Sequence, residues 1–344
     1  MTINRREFLR FSGGAAGAAL FGGFVPSAYA AMRMTGVTYL PQSYKALSFG
    51  SNGLVEHLKK NASKAIQVDF FDSGKLLKAD EQLPALRSGN INFMFHTTSY
   101  ITRSVPILGV LGLPGVVEEL HKHPERTKIG SPLFKLMNEQ LAKDDLYMLS
   151  MGGGILEPEY LWSAKSQHIE SLDAIKGKRV RVVSFEATGV MEKFGAAAVR
   201  IPSSELYLAM QRGTVDAAVA NISTIIGRSI QEQSGSCYRL PITAYAIAVF
   251  VQKSRWAKWP ADVRAGMEAA AAWFDAESAK EANAKIYPNE YWPKVKAAGV
   301  KVVEPTAADI ARLDAAGETV RETWVKQVGA DVGRKAMALA LGKA

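Results

Sequence analysis

Two arginines separated by one residue, Arg179 and Arg181, open a β-rich run in the middle of the chain. Side chains two apart on a strand share a face. A planar guanidinium offers two parallel N–H donors to a carboxylate and keeps its charge when partly buried. The spacing leaves two readings open, a clamp for an organic acid and a structural ion pair at a strand end. Upstream, Gly152-Gly153-Gly154-Ile155-Leu156-Glu157-Pro158-Glu159-Tyr160-Leu161-Trp162 gathers two carboxylates and two aromatics. Glu157 and Glu159 can meet a ligand ammonium, pair with Arg181, or face solvent. His121 and His123 form an H-x-H pair, but Lys122, Pro124 and Glu125 around them mark a solvated loop rather than a metal site. The chain lacks H-E-x-x-H, G-x-S-x-G, a phosphate-binding loop and C-x-x-C, so no enzymatic signature is present. No cofactor and no metal are expected. The single cysteine, Cys237, excludes an internal disulfide.

The elements that must hold these groups alternate. Strand-like runs fall at Ile66 to Phe71, Ile91 to Phe95, Leu146 to Met151, Arg179 to Val183, Ala197 to Ile201, Val215 to Ala220 and Ala246 to Val251. Amphipathic helical patterns lie between them at Ser43 to Asn61, Lys78 to Ser88, Pro132 to Lys143, Glu186 to Phe194 and Ser204 to Arg212. The alternation predicts an α/β architecture with largely parallel sheets. The last third differs, with a long helix over Ala261 to Ala284, another over Tyr287 to Ala298, a strand at Val300 to Val303 and a helix from Ala307 capped by Thr306. No repeat or low-complexity linker marks a boundary, so two lobes are expected to interleave, with a ligand cleft between them.

The ends and the charge set the compartment and the partner class. Asn4-Arg5-Arg6-Glu7-Phe8-Leu9-Arg10, the mild Gly/Ala-rich run Phe11 to Phe24, and Ala28-Tyr29-Ala30 have the order of a twin-arginine export signal with a small-x-small cleavage site. Residues 1 to 30 are therefore excluded from the fold, and the mature protein is expected in the periplasm. Losing Arg5, Arg6, Arg10 and Glu7 lowers the formal charge from +9 by 2 to +7. That balance is not gathered into an arginine-rich block with aromatics, which argues against nucleic acid and suits small anions. The most apolar later stretch, Val105 to Val117, is broken by Pro106, Gly109, Gly112, Pro114 and Gly115, so stable membrane insertion is not expected.

Three segments carry a family resemblance. Asp173-Ala174-Ile175-Lys176-Gly177-Lys178-Arg179-Val180-Arg181 resembles the strand entry of DctP-type solute receptors of TRAP transporters. Phe194-Gly195-Ala196, then Ile201-Pro202 through Glu205-Leu206-Tyr207-Leu208-Ala209-Met210-Gln211-Arg212-Gly213-Thr214-Val215-Asp216, is similar to the same family's second-lobe motif. Ser73-Gly74-Lys75-Leu76 and Leu86-Arg87-Ser88-Gly89-Asn90-Ile91 resemble its first-lobe motif. The resemblance implies a two-lobed periplasmic binding fold of the type II kind with a hinge and long bracing helices near the C-terminus. Lobe one would take 31–158 plus 247–286, and lobe two 159–246 plus 287–344. It also implies a receptor, not an enzyme, whose partners are a small carboxylate solute and the TRAP membrane permease subunits.

On that resemblance Arg181 falls on the family's carboxylate-binding arginine, and Asn221 on an asparagine that bonds the ligand carboxylate or a polar neighbour. Asn221 is equally placed to cap the helix that follows it. Relatives carry a second cation before the arginine strand, where this chain has Glu157 and Glu159 instead. A monocarboxylate is therefore expected over a dicarboxylate. Loops at the ends of first-lobe strands add Gln42, Tyr44, His96, Thr97, Thr98 and Ser99. Tyr160, Trp162 and Tyr245 are candidates for an aromatic wall, with the lobe core as their other place. A receptor for an ATP-driven importer or a sensor, and an exported carboxylate-processing enzyme using Arg181 with Glu157 or Glu159 as base, are the alternatives.

Overall fold

The computed structural model describes residues 31–343, so the arginine pair Arg5-Arg6 and the cleavage site at Ala28 to Ala30 lie outside the described residues. The first half of the chain runs β1 (Met32–Thr38), α1 (Lys45–Asn61), β2 (Ile66–Phe71), α2 (Ala79–Arg87), β3 (Phe93–Thr97), α3 (Val117–Lys122), α4 (Pro132–Leu141) and β4 (Leu146–Ser150). It continues with β5 (Glu159–Ala164), β6 (Arg179–Val182), α5 (Phe185–Lys193), β7 (Ala197–Arg200), α6 (Leu206–Gln211), β8 (Ala217–Ala220), α7 (Ile222–Gly227) and β9 (Ser234–Thr243). The last third holds β10 (Ile247–Gln252), α8 (Lys253–Trp256), α9 (Ala261–Glu281), α10 (Trp292–Ala297), β11 (Lys301–Val303), α11 (Ala307–Val328) and α12 (Ala330–Ala340).

The strands form two sheets, one ordered β2-β1-β3-β10-β4 and the other β11-β9-β5-β8-β6-β7. The molecule is an α/β fold of two lobes, each built on one sheet. The expectation of largely parallel pairing needs correction. β1 pairs in parallel with β2 and β3, and β6 with β7 and β8, but β10 is antiparallel to β3 and β4, and β5 to β8 and β9. Parallel neighbours need a helical crossover. The links 151–158 and 244–246 carry the chain from one sheet straight into the other without a helix, so each delivers its next strand in the opposite sense.

Local chemistry explains most of the boundaries. Ser131, Ser184, Asn221 and Thr306 each accept a backbone N–H at the start of α4, α5, α7 and α11, at 2.8 to 3.2 Å. α9 does not stop at residue 284. It passes through a π-helical segment, Ala282–Tyr291, into α10, and Pro288 inside that segment has no N–H to give to a normal helical bond. The ten-residue strand β9 escapes a periodicity reading because Gly235 and Pro241 sit within it. α11 packs on α5 of the second lobe and on residues 106–112 of the first, while α12 lies against α4. Among the described residues no helix is long and apolar enough to cross a membrane.

Candidate functional site

β6, flanked by β8 and β7 in the second sheet, carries Arg181 with only 1 % of its surface exposed. Its Nε donates to the Ile201 carbonyl at 2.8 Å and its Nη1 to the Val219 carbonyl at 3.0 Å. These bonds hold the guanidinium plane still, and no protein bond to Nη2 occurs among the described residues. The guanidinium lines a small, nearly filled cavity of about 10 Å³, which the two lobes must part to admit anything larger than a water. The first lobe closes it with Tyr39, Leu40, Tyr44, Thr97, Ser99 and Tyr100; the second lobe and the crossing segments close it with Glu159, Val183, Ser203, Thr224 and Tyr245.

Several lining groups are already bonded to each other. Tyr39 Oη lies 2.7 Å from Thr97 Oγ1, Tyr100 Oη accepts the Ser203 N–H at 2.8 Å, and Tyr44 Oη accepts from Arg228 Nε at 3.3 Å. Three are not. Ser99 Oγ, Ser203 Oγ and Glu159 Oε2 are buried polar atoms with no protein partner. Buried donors and acceptors left unpaired cost about 1–3 kcal/mol each, so three in one cavity mark a place that a polar molecule completes. Burial pushes the Glu159 carboxyl up to about 7 against the opposing pull of the Arg181 charge and the Asn221 backbone amide. Burial likewise drives the Tyr39 and Tyr245 phenols upward, so they stay neutral hydrogen-bonding groups.

Of the residues singled out in the sequence, Arg181, Glu159, Tyr44, Thr97, Ser99 and Tyr245 come together here. The others do not line this cavity. Asn221 caps α7 through Oδ1, which accepts from Ser223 N at 2.8 Å, and its Nδ2 donates to the Glu157 carbonyl. Its amide thus ties β8 to the crossing segment. Glu157 turns to the opposite side, accepting from Tyr160 Oη and Trp292 Nε1 at 3.0 Å, with Arg239 3.6 Å away. Tyr160 and Trp162 pack with Trp292 on that same side, Trp162 fully buried with its Nε1 on the Ala220 carbonyl. The expected aromatic wall is therefore corrected: Tyr160 and Trp162 are lobe core, and Tyr245 alone of the three reaches the cavity. Gln42 is exposed and bonded to Asn52 and Asp72. His96 is a core residue with its ring nitrogens 2.9 Å from the Thr97 and Ala79 carbonyls. Thr98 Oγ1 accepts the Ala246 N–H at 3.1 Å. Arg179 is held by Asp216 at 2.8 Å, the structural ion pair weighed for both arginines.

The sequence reading missed Tyr39, Leu40, Tyr100, Val183, Ser203 and Thr224. Tyr39 and Leu40 follow β1 directly, and Ser203 sits in the Pro202-Ser203 turn after β7. All are strand-end positions, the same signal that nominated Gln42 and Ser99. Thr224 lies one helical turn past the Asn221 cap, a spacing that shares a face but does not announce itself as a site.

Comparison with known proteins extends over most of this architecture. Residues 42–327 match the family DctP, bacterial extracellular solute-binding protein, family 7. A solute-binding protein of Albidiferax ferrireducens is 25% identical over 182 residues, 51% of this chain, and the match spans half (50%) of that relative's length. The C4-dicarboxylate-binding periplasmic protein DctP of Rhodobacter capsulatus is 25% identical over 291 residues, covering 82% of this chain and 83% of that protein. Among solved structures, DctP7 of Bordetella pertussis, an extracytoplasmic solute receptor binding pyroglutamic acid, superposes with a TM-score of 0.77 at 19% identity, covering 90% of this chain and 99% of that one. Matched across both sheets and the cleft between them, the chain belongs to the DctP family of bacterial extracellular solute-binding proteins.

Proposed function

We propose that this protein is a periplasmic receptor that takes a small organic acid, a monocarboxylate in preference to a dicarboxylate, into the cavity at Arg181 and delivers it to a TRAP permease. The observation that carries the reading is the Arg181 guanidinium, buried, oriented by two backbone carbonyls and lining a small polar cavity. A cation in that setting has lost most of its hydration, and a carboxylate is the small ligand whose geometry and charge replace it best. The lining holds Glu159 and no second cation, so a dicarboxylate's free end finds no positive partner there and is repelled by the Glu159 carboxylate. The ligands named for relatives span both classes, pyroglutamic acid for the Bordetella receptor and C4-dicarboxylates for the Rhodobacter one.

In this reading the lobes, 31–158 with 247–286 and 159–246 with 287–344, open by hinge motion at the crossing segments and close over the acid. Binding rather than turnover is the task of the site. Export by the twin-arginine route with removal of residues 1–30 completes the proposal, and replacing Arg5 and Arg6 by lysine should leave the precursor in the cytoplasm. The direct test is calorimetric titration of the ligand-free protein with L-pyroglutamate and with succinate. Tighter binding of the monocarboxylate, lost in Arg181→Lys, is expected; equal or tighter succinate binding would overturn the preference.

A further inference from the structure

Two strands from Arg181 in the same sheet, the cavity lining also carries a carboxyl, Glu159 of β5, whose Oε2 has nothing to bond. Glu159 is 3 % exposed, and its Oε2 shares the cavity with the unpaired hydroxyls of Ser99 and Ser203. Its neighbours do not neutralise it. Tyr39 at the end of β1 is committed to Thr97, Tyr44 at the start of α1 to Arg228, and Tyr100 to Ser203. His96 of β3 stands behind Tyr39 with ring centres 5.0 Å apart and its nitrogens at two carbonyls; Tyr245 on the return crossing and Tyr287 of the π-helical segment are buried phenols. Arg181 is the one cation lining the cavity, and a ligand carboxylate competes with Glu159 for it.

We infer that Glu159 is the specificity-determining residue of the site: it accepts a hydrogen bond from an N–H or O–H group on the bound acid, so the ligands are lactam, hydroxy or amino monocarboxylates. The inference rests on the arginine-anchored reading above. An acid with no such donor leaves two carboxylates sharing one guanidinium, and Glu159 must then take a proton from solvent for the pair to be tolerated. A donor-bearing acid satisfies Oε2 with the carboxylate ionised. Because burial sets the empty-site carboxyl at about 7, the two cases separate across the neutral range. Above it, ionised Glu159 demands a donor. Below it, the protonated carboxyl accepts either kind of acid.

The test is calorimetric titration with two matched pairs, L-pyroglutamate against its lactone counterpart 5-oxotetrahydrofuran-2-carboxylate, and lactate against propionate, at mildly acidic and mildly alkaline pH. The donor member of the pair that fits should bind about tenfold or more tightly at alkaline pH, the ratio one hydrogen bond to a charged acceptor sustains, and the advantage should shrink at acidic pH. In Glu159→Gln the ratio should fall to a few-fold and lose its pH dependence. The wild-type pH series needs no variant, so a folding defect in Glu159→Gln cannot mask the result. Equal affinities at both pH values, with binding still lost in Arg181→Lys, would overturn the role of Glu159 and leave the arginine anchor standing. Binding of no acid in either pair would overturn both.

Discussion

At the scale of residues, the site is decided by which side of a strand each group falls on. Thr97 and Ser99 face the cavity while His96 and Thr98 do not, and Glu159 faces it while Glu157 points away. Within β3 the alternation has a period of two, but nothing in the one-letter sequence says which parity is inward when both faces of a sheet are covered; past the strand end the alternation lapses, and Ser99 and Tyr100 of the 3-10 turn both line the cavity. Arg181 stood out in the sequence because residue type and family motif agreed, and Glu159, with Glu157, because it departs from that motif; Ser203 and Thr224 did not stand out, being small polar residues in ordinary turn and cap surroundings. Removing the arginine should do two things. Arg181→Ala strands the Ile201 and Val219 carbonyls as well as emptying the site, so unfolding measurements should show a loss of about 1–3 kcal/mol beside the loss of ligand binding. A second buried carboxyl, Glu186, gives a separate pH signal. Burial raises it to about 7 despite hydrogen bonds from Thr102 and Ser184, and its Oε2 is unpaired. Between the ordinary glutamate range and pH 7 the folded state holds a proton there that the unfolded chain has released, so its contribution to stability falls as pH rises, by at most about 1.4 kcal/mol per unit. Denaturant titrations of Glu186→Gln and wild type should therefore diverge across that window, the variant gaining on the wild type as pH rises; parallel curves would refute it.

The secondary-structure elements were readable where pattern and cap coincided, as at α4 behind Ser131-Pro132 and α11 behind Thr306. They were misread where the chain changes sheet. β4 to β5 and β9 to β10 are joined without a helix, and strand direction depends on a partner far away in sequence, which periodicity does not encode. The first crossing has its own requirement. Gly153 has φ +79° and an added Cβ would sit 1.8 Å from the Asp275 carbonyl oxygen, whereas at Gly130, with φ +84°, nothing lies within 4 Å. Both positions strain an L-residue, but one also collides with backbone. Gly153→Ala should cost about 2 kcal/mol or more, and Gly130→Ala about 1 kcal/mol, as read from denaturant midpoints. Equal losses would show that the crossing tolerates a shift of α9.

For the whole molecule, two lobes bridged by late helices followed from the α/β alternation, the absence of a linker and the motif order, and the fold agrees. The lobes meet at the cleft through Tyr100 to Ser203, Ser43 Oγ to the Gly227 carbonyl at 2.7 Å, and the Arg200–Asp80 pair at 2.7 Å. The last is solvent-exposed, so its share in closure is small and screened by salt. Asp80→Asn should weaken ligand binding no more than a few-fold, and only at low ionic strength; a large loss at high salt would make that pair a true latch. Capture of an acid by Arg181 is tested most directly by thermal unfolding of the ligand-free protein against mono-, di- and zwitterionic carboxylates. A ligand bound only by the folded state adds about 2.7 kcal/mol at a hundredfold excess over its dissociation constant. A raised midpoint with donor-bearing monocarboxylates, absent in Arg181→Ala, is the predicted result; no shift with any carboxylate, or a shift that survives Arg181→Ala, would contradict it.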